Sequence, residues 1–457
     1  MIQPVLLWSD ALLFVLIGVI VGLTLWARRQ EALRAAWGRV AQNAVAMAAA
    51  TVLGVFVLIG LLDSLHYRAR LESQPGAAAR YAVEVNSALD ALLSDLRQRT
   101  EKTYSAPLAT HLFAREALEN STQREFPRLK HGGAHLGENL VGHEFDIAVR
   151  VSRGCAGGLV LWLLLASAWC RLRGVEVIEM LKVGAGGTAI RPVVLTVLPI
   201  LLLFGVAISL GAGYHVFGTD KVGQDVLYLS LKSIRTGLLI GTLTTLVMLP
   251  VAVLLGILAG YVGGWVDDVI QYLYTTLSSI PGVLLIAAAV LMMQVAIDTH
   301  PEWFATSAER ADARLLALCL ILGMTSWTGV ARLLRGETLK LRELEFVQAA
   351  QAFGVGRFAI MRRHILPNLM HIVLIALVMD FSGLVLAEAV LSYVGVGVDP
   401  TTISFGTMIN TARMELAREP MVWWSLLAAF GFMFALVLAA NLFADAVRDA
   451  FDPRSSA

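Results

Sequence analysis

The sequence predicts an all-α polytopic membrane protein of about nine transmembrane helices, N-terminus outside and C-terminus inside, with a small extracytoplasmic α or α+β insertion. Three observations carry this. The 457 residues are 57% hydrophobic and 16% charged, with a mean hydropathy of +0.70, whereas a soluble domain is about 25% charged. Nine apolar stretches approach the ~20 residues that a bilayer-crossing helix needs. Lysine and arginine concentrate in alternate connections, as the positive-inside rule requires. The formal net charge of +1, without a basic face or tail, gives no basis for nucleic-acid binding.

The stretches run at roughly 6–27, 43–62, 155–172, 190–213, 236–259, 269–296, 314–331, 370–396 and 423–444. The first is too long for a signal-peptide core, follows no basic residue, and ends in "WARRQ" without a small-residue cleavage site. It reads as a retained helix, so residues 1–62 supply two N-terminal spans. The third, "CAGGLVLWLLLASAWC", is only just long enough; with the fourth it makes up residues 155–214. Arg28, Arg29, Arg34 and Arg39 follow the first span, Arg171, Arg173, Lys182 and Arg191 the third, and Arg332, Arg335, Lys340, Arg342, Arg357, Arg362 and Arg363 the seventh. With nine spans all three connections lie inside. The short fifth connection, "GYVGGWVDDV", has acids and no base, against the trend.

Residues 63–154 form the one large polar part and fall outside. Val83, Leu89, Leu92, Leu93 and Leu96 recur near helical spacing and predict a surface helix, whereas "KHGGAHLGEN" reads as turn and loop. Fewer than a hundred residues with few aromatics support only a small core, which needs the membrane domain or a partner to hold its shape. Five of the nine histidines fall here: His66, His111, His131, His135 and His143. Their spacing matches no zinc motif, so they read as surface histidines and no metal is expected. Cys155, Cys170 and Cys319 lie in or beside apolar runs and read as packing residues.

"EFVQAAQAFGVGRFAIMRRHILPN", residues 345 to 368, differs from its apolar flanks. Glu345 to Phe353 are strong helix formers. Ala349, Ala350 and Ala352 keep part of the surface slim, and Gly354 is placed to end the helix as its C-cap glycine. A second helical piece, "RFAIMRRH", runs into Pro367, which the first turn of a following helix tolerates. The pattern predicts a short rigid helix across the membrane surface, clamped between two spans.

Gln348-Ala349-Ala350, then Gly354, then Leu366-Pro367 resembles the EAA loop of permeases from binding-protein-dependent ABC importers, with Gln348 in place of the leading glutamate. "HILPN", His364 to Asn368, is similar to the oligopeptide/dipeptide/nickel group. "FGTDKVGQDV" (Phe217 to Val226, Gln224 replacing an arginine), "AGYVGGWVDDVI", "SSIPGVLLI" and "LAEAVLSYVGVGVDPTTISFGTMI" (Phe405 replacing a tryptophan) follow that group in the same order. The resemblance spans about 215–453. It implies a permease core with a cytoplasmic coupling helix at 345–354, in which Glu345, Gln348, Ala349, Ala350, Gly354, His364 and Pro367 make or shape the contact with an ATPase. The chain has no GxxxxGK[ST] phosphate loop, so it is not expected to be an enzyme or to hold a cofactor. ATP and Mg would be bound by two cytoplasmic ATPase subunits. A second, different permease and an extracytoplasmic solute-binding protein complete the implied assembly in a bacterial inner membrane.

Asp380 and Glu388 stand inside a span, where an acid costs about 2.5–3.5 kcal/mol on insertion scales. Eight residues apart, they lie within about 80° of each other on one side of a helix. They are candidates for the translocation path, or else helix–helix struts. Pro250 and Pro281 interrupt spans, as gate hinges on the path or as packing kinks. Two other functions fit the composition: an ion-driven secondary transporter relaying through Asp380 and Glu388, and a membrane-anchored sensor using 63–154.

Overall fold

The computed structural model describes residues 3–27, 29, 31–71, 80–117, 124–137, 142–173, 190–304 and 306–451. The chain divides into two compact units. The first comprises Met1–Val5, Gln30–Thr236 and Ile403–Ala446, and the second Leu6–Arg29, Gly237–Thr402 and Val447–Ala457. Eight described helices are long and apolar enough to cross a membrane, and a shorter apolar stretch, Trp8–Gly22, joins them.

In the first unit, α2 (Glu31–Gln42) precedes α3 (Ala44–Ser64), whose N-cap Asn43 accepts hydrogen bonds from the N–H groups of Val45 and Ala46. β1 (Gln3–Val5), β2 (His66–Arg68) and β3 (Asn86–Ser87) form a small antiparallel sheet in that order, with Pro4 opposite Tyr67 and His66 opposite Ser87. Two one-turn helices follow, α4 (Ala88–Leu92) and α5 (Ser94–Gln98), the first held by a Ser87–Asp90 capping box. Leu93 separates them and Val83 lies outside both, so the single surface helix expected from the leucine spacing is two short pieces.

α6 (His143–Arg173) and α7 (Ile190–Gly211) pack as a hairpin through glycines. A Cβ on Gly154 would lie 2.6 Å from Val206 Cα, and one on Gly158 2.6 Å from Leu201 O. The Gly154-xxx-Gly158 pair therefore lets the two backbones touch, the usual small-residue solution where lipid offers no hydrophobic drive. The stretch 155–172 is thus the second part of a 31-residue helix. It begins at His143, twelve residues before the apolar run; Lys182 in the connection that follows lies outside the described residues.

The second unit holds α1 (Trp8–Ala27), most of α8 (Val226–Val262), α9 (Gly264–Ser279), α10 (Gly282–Thr299), α11 (Ser307–Arg342), α12 (Glu345–Ala352) and α13 (Arg357–Val394). α8 and α11 meet at Gly256 and Gly260, where added Cβ atoms would lie 2.8 Å from Ala331 O and 2.6 Å from Thr338 Cβ. One core cluster gathers Met248, Ala252 and Tyr261 of α8, Trp327 and Leu334 of α11, Val347 of α12, and Ile360, Ile365 and Leu369 of α13. Another joins Leu239 and Leu243 of α8, Val290 of α10, Leu318 and Leu322 of α11 and Leu391 of α13, with Leu13 of α1 against it. α14 (Phe405–Glu415) and α15 (Trp424–Phe451) end the described chain.

One expectation changes here. The stretch 269–296 is not one span: α9 ends at Ser279, Ile280 turns extended, and Pro281 is the N-cap of α10. Pro281 therefore separates two helices and kinks neither, because its missing N–H costs nothing ahead of a first turn. Pro367 stands as expected in the first turn of the α-helical stretch Leu366–Val394, which continues the preceding turns as α13. It sits inside α13, just after a π-helical turn at Met361–Ile365 in which the Leu366 N–H reaches back to Met361 O. The widened turn makes room for the proline ring, and Asn368 Nδ2 donates to His364 O at 2.6 Å.

The Gly256/Gly260 seam is open to test. Gly260→Leu should abolish a folded membrane-inserted chain, since overpacking alone costs about 1–3 kcal/mol and here it meets backbone. Gly329→Leu, with no atom within 4 Å of the added Cβ, should leave thermal stability in detergent unchanged.

Candidate functional site

Two places in the chain concentrate polar groups. The first lies in the first unit, where residues 101–117 and 124–137 fold onto the connection 212–225. Backbone pairs stitch them together: Glu101 N–H to Gly223 O at 2.9 Å, Leu108 N–H to His215 O at 2.9 Å and Thr219 N–H to Ser105 O at 3.1 Å. Gly223 adopts φ +79, and a Cβ there would lie 1.9 Å from Glu101 O, so the "GTDKVGQDV" turn requires its glycine. Asp225 caps α8, accepting from Leu227 and Tyr228 N–H at 2.9 and 3.2 Å.

His215, 2% exposed, sits between two carboxylates. Its Nδ1 lies 2.8 Å from Asp225 Oδ2 and its Nε2 3.4 Å from Glu101 Oε1. Burial alone would push the imidazole down, but hydrogen bonds and charge from Asp225 and Glu101 outweigh it and raise His215 to about 9. Burial likewise pushes Glu101 up, yet His215 and the N–H groups of Lys130, His131 and Gly132 hold it at about 2. Sequence reading passed over Glu101 and His215; the signal for the latter was a histidine two residues before the signature turn. His131, His135 and His143 do not gather into a metal site among the described residues. His135 instead bonds Asp146 at 2.7 Å, and His143 bonds Leu108 O at 3.0 Å.

The second place is α12. Leu344 is its N-cap, and Glu345 places an acid in the first turn, at the positive end of the helix dipole. The other end closes as a Schellman motif: Val355 N–H reaches Ala350 O at 3.1 Å, Gly354 N–H reaches Gln351 O at 3.0 Å, and Gly354 has φ +78. Val347 is fully buried in the α8–α11–α13 core and is the inward anchor. Gln351 Nε2 donates to Tyr261 Oη at 3.2 Å and Gln348 Nε2 to Glu343 O at 3.2 Å. Gln348, Ala349 and Ala352 face outward, whereas Ala350 is half-buried against the core.

The outer side is more apolar than the sequence reading credited. Phe353 is 88% and Phe358 72% exposed, with Leu344, Phe346 and Val355 also open. Phe346 and Phe353 stand seven residues apart, two helical turns, so a common face was legible. The Phe346 ring lies 6.2 Å from that of His364, tying the first turn of α12 to the π-turn of α13. Arg357, Arg362 and Arg363 are exposed beside it. What this arrangement offers is a stiff, partly apolar knob between two long helices.

Along α13 the two acids differ. Glu388 is 1% exposed and accepts from Ser392 Oγ at 2.7 Å. Asp380 is half-exposed, and its Oδ2 is buried without a hydrogen-bond partner among the described residues. Pro281, the third path candidate, stands in the break between α9 and α10.

Long apolar helices framing one short exposed helix define a polytopic membrane protein. Residues 252–457 match the family described as binding-protein-dependent transport system inner membrane component. The oligopeptide transport system permease protein of Mycobacterium tuberculosis is 31% identical over 241 residues, 53% of this chain and 76% of that one. The dipeptide transport system permease protein of Lactococcus lactis is 31% identical over 242 residues, 53% and 64%. The glutathione transport system permease protein of Pectobacterium atrosepticum is 31% identical over 242 residues, 52% and 73%. The chain belongs to this family and is a permease of the ABC importer type.

Two measurements follow. Gly354→Ala meets no neighbour, so it should cost only the left-handed backbone penalty, about 1–2 kcal/mol, read as a lowered unfolding midpoint that Gly354→Asn partly restores. At the other place, His215 (about 9 folded, 6.5 unperturbed) contributes stability that is complete below pH 6.5 and lost as pH rises through about 9. Glu101 (about 2 folded, 4.5 unperturbed) contributes stability that is complete above pH 4.5 and lost as pH falls through about 2. Limited proteolysis of residues 101–137 should therefore be slowest between pH 4.5 and 6.5 and quicken toward pH 9, and His215→Gln should remove the alkaline rise.

Proposed function

We propose that this chain forms half of a translocation path for peptides or similar small solutes and couples to cytoplasmic ATPase subunits through α12. The observation that carries the reading is the two-sidedness of α12: Val347 is fixed in the core while Gln348, Ala349, Ala352 and Phe353 stand outward. A cleft on an ATPase could grip that outer side, and the buried anchor would transmit its displacement to α11 and α13. Rigid-body motion between two states is the form such coupling takes. In this reading α12 is cytoplasmic and residues 63–154 extracytoplasmic. A second, different permease supplies the other half of the path, two ATPase subunits hold ATP and Mg, and a solute-binding protein delivers the solute. The relatives named for oligopeptide, dipeptide and glutathione transport support the peptide class. An ion relay through Asp380 and Glu388 has weaker support, because Glu388 is buried and hydrogen-bonded within its own helix.

Ala349 and Ala350 separate contact from packing. Ala349→Arg places charge and bulk on the outer side and should insert normally yet lose a co-purifying Walker-motif ATPase in mild detergent. Ala350→Arg points at the core and should lower the yield of folded chain. If wild type retains a second permease but no ATPase, the coupling reading fails.

A further inference from the structure

Two arginines one turn apart on α11 face α9, and their surroundings differ. Arg335 is matched by a carboxylate: its Nε lies 2.6 Å from Asp267 Oδ1 and its Nη2 2.6 Å from Asp267 Oδ2, a bidentate pair. Gln271 Nε2 donates to Asp267 at 2.9 Å, and Tyr274 Oη donates to Gln271 Oε1 at 3.2 Å. This ladder climbs α9 to the Tyr274 ring, over which the Arg332 guanidinium lies at 4.9 Å. There the acid runs out. The cleft beside Arg332, about 390 Å³, is lined by Tyr274, Thr275, Ser278 and Ser279. The Ser279 hydroxyl donates to Thr276 O at 2.7 Å, while the Thr275 and Ser278 hydroxyls make no side-chain hydrogen bond among the described residues. No carboxylate pairs with Arg332 among the described residues, and none lines the cleft.

The geometry points to an oxyanion-binding point at Arg332, Thr275 and Ser278, which takes the carboxylate or phosphate group of a small ligand. A guanidinium held over an aromatic face by cation–π attraction has no hydrogen bond to that ring's edge and can present N–H groups to a planar oxyanion, and two hydroxyls alongside can donate to the remaining lone pairs. The cleft is open to its surroundings and has room for a carboxylate or phosphate group beside the guanidinium. It adjoins the α9–α10 break at Ile280–Pro281, where the helix gives way to extended backbone. The inference rests on the importer reading for its expected ligand, the terminal carboxylate of a transported peptide. A lipid headgroup phosphate is the other source of the same chemistry.

The test is arginine modification by phenylglyoxal on the full chain, with its co-purifying partners, in nanodiscs, read by mass spectrometry at Arg332 and at Arg335. Arg332 should react faster than the paired Arg335. Trialanine should slow it about tenfold, the loss expected when a charge-assisted hydrogen bond protects the group, and trialanine amide should not. Thr275→Asp supplies the missing acid and should abolish trialanine protection. If phosphatidylglycerol nanodiscs protect Arg332 while phosphatidylcholine nanodiscs and trialanine do not, the site stands with a lipid as its ligand. If neither trialanine nor phosphatidylglycerol protects, the site is overturned. Uptake of trialanine by vesicles holding the complex is scored separately: protection without uptake removes the importer reading and keeps the site, and uptake without protection by either ligand removes the site.

Discussion

The burial of Val347 is the constraint on which the second unit's functional reading depends. A short helix at a membrane protein's polar end has little stability of its own, because nucleating a few turns is unfavourable. α12 persists because one side chain is wholly removed from solvent among Tyr261, Trp327, Ile360 and Ile365. Burying a valine is worth about 1.5–3 kcal/mol, enough to fix the position of an eight-residue helix whose C-terminal end is already closed at Gly354. The same burial leaves the opposite face with no internal partner, which is why Phe353 can be so open without being an error of packing. An exposed aromatic on a rigid support is what a binding partner can use.

α13 carries that constraint onward. Its π-turn at Met361–Ile365 absorbs one extra residue before Pro367, so a helix that the proline would otherwise kink or break stays continuous from Arg357 to Val394. A rigid rod rooted beside α12 thus reaches Asp380 and Glu388. In the first unit a different device does comparable work. Residues 101–117 and 124–137 could not build a core of their own, having few aromatics and no disulfide among the described cysteines. They are fixed by a carboxylate–imidazolium–carboxylate arrangement and by the tight turn at Gly223. The turn that resembles the family's signature is also the surface on which these residues are folded.

The sequence made the class and most of the spans legible, because a bilayer imposes length and composition so strongly. It also located α12 and its glycine stop, since C-cap glycines follow from backbone sterics alone. What it could not resolve were features decided by three-dimensional neighbours. The apolar run 269–296 contains nothing in its hydropathy to announce a break; only Pro281 hinted at one, and a proline is equally at home in a kink. Ala349 and Ala350 are chemically identical in sequence, and only the direction of the helix distinguishes the outer one from the packed one. The Gly154–Gly158 spacing was readable as a helix-packing motif but lay hidden in a stretch judged by length. His215 was one histidine among nine, and nothing local announced that Glu101, more than a hundred residues earlier, would meet it.

Polar groups left open along apolar helices argue for what surrounds the second unit. Thr275, Ser278 and Arg332 are exposed on their own chain, and Asp380 is half-exposed with one oxygen unsatisfied. Facing hydrocarbon, each would cost free energy that no internal contact returns. The Asp267–Arg335 pair shows how this chain satisfies such groups when it does so internally, with matched charge and bidentate geometry. Where that internal match is missing, the group requires water or another protein against it. The exposed hydroxyls and guanidinium therefore mark where the open faces of α9 and α11 are least suited to hydrocarbon, and Asp380 marks the same on α13.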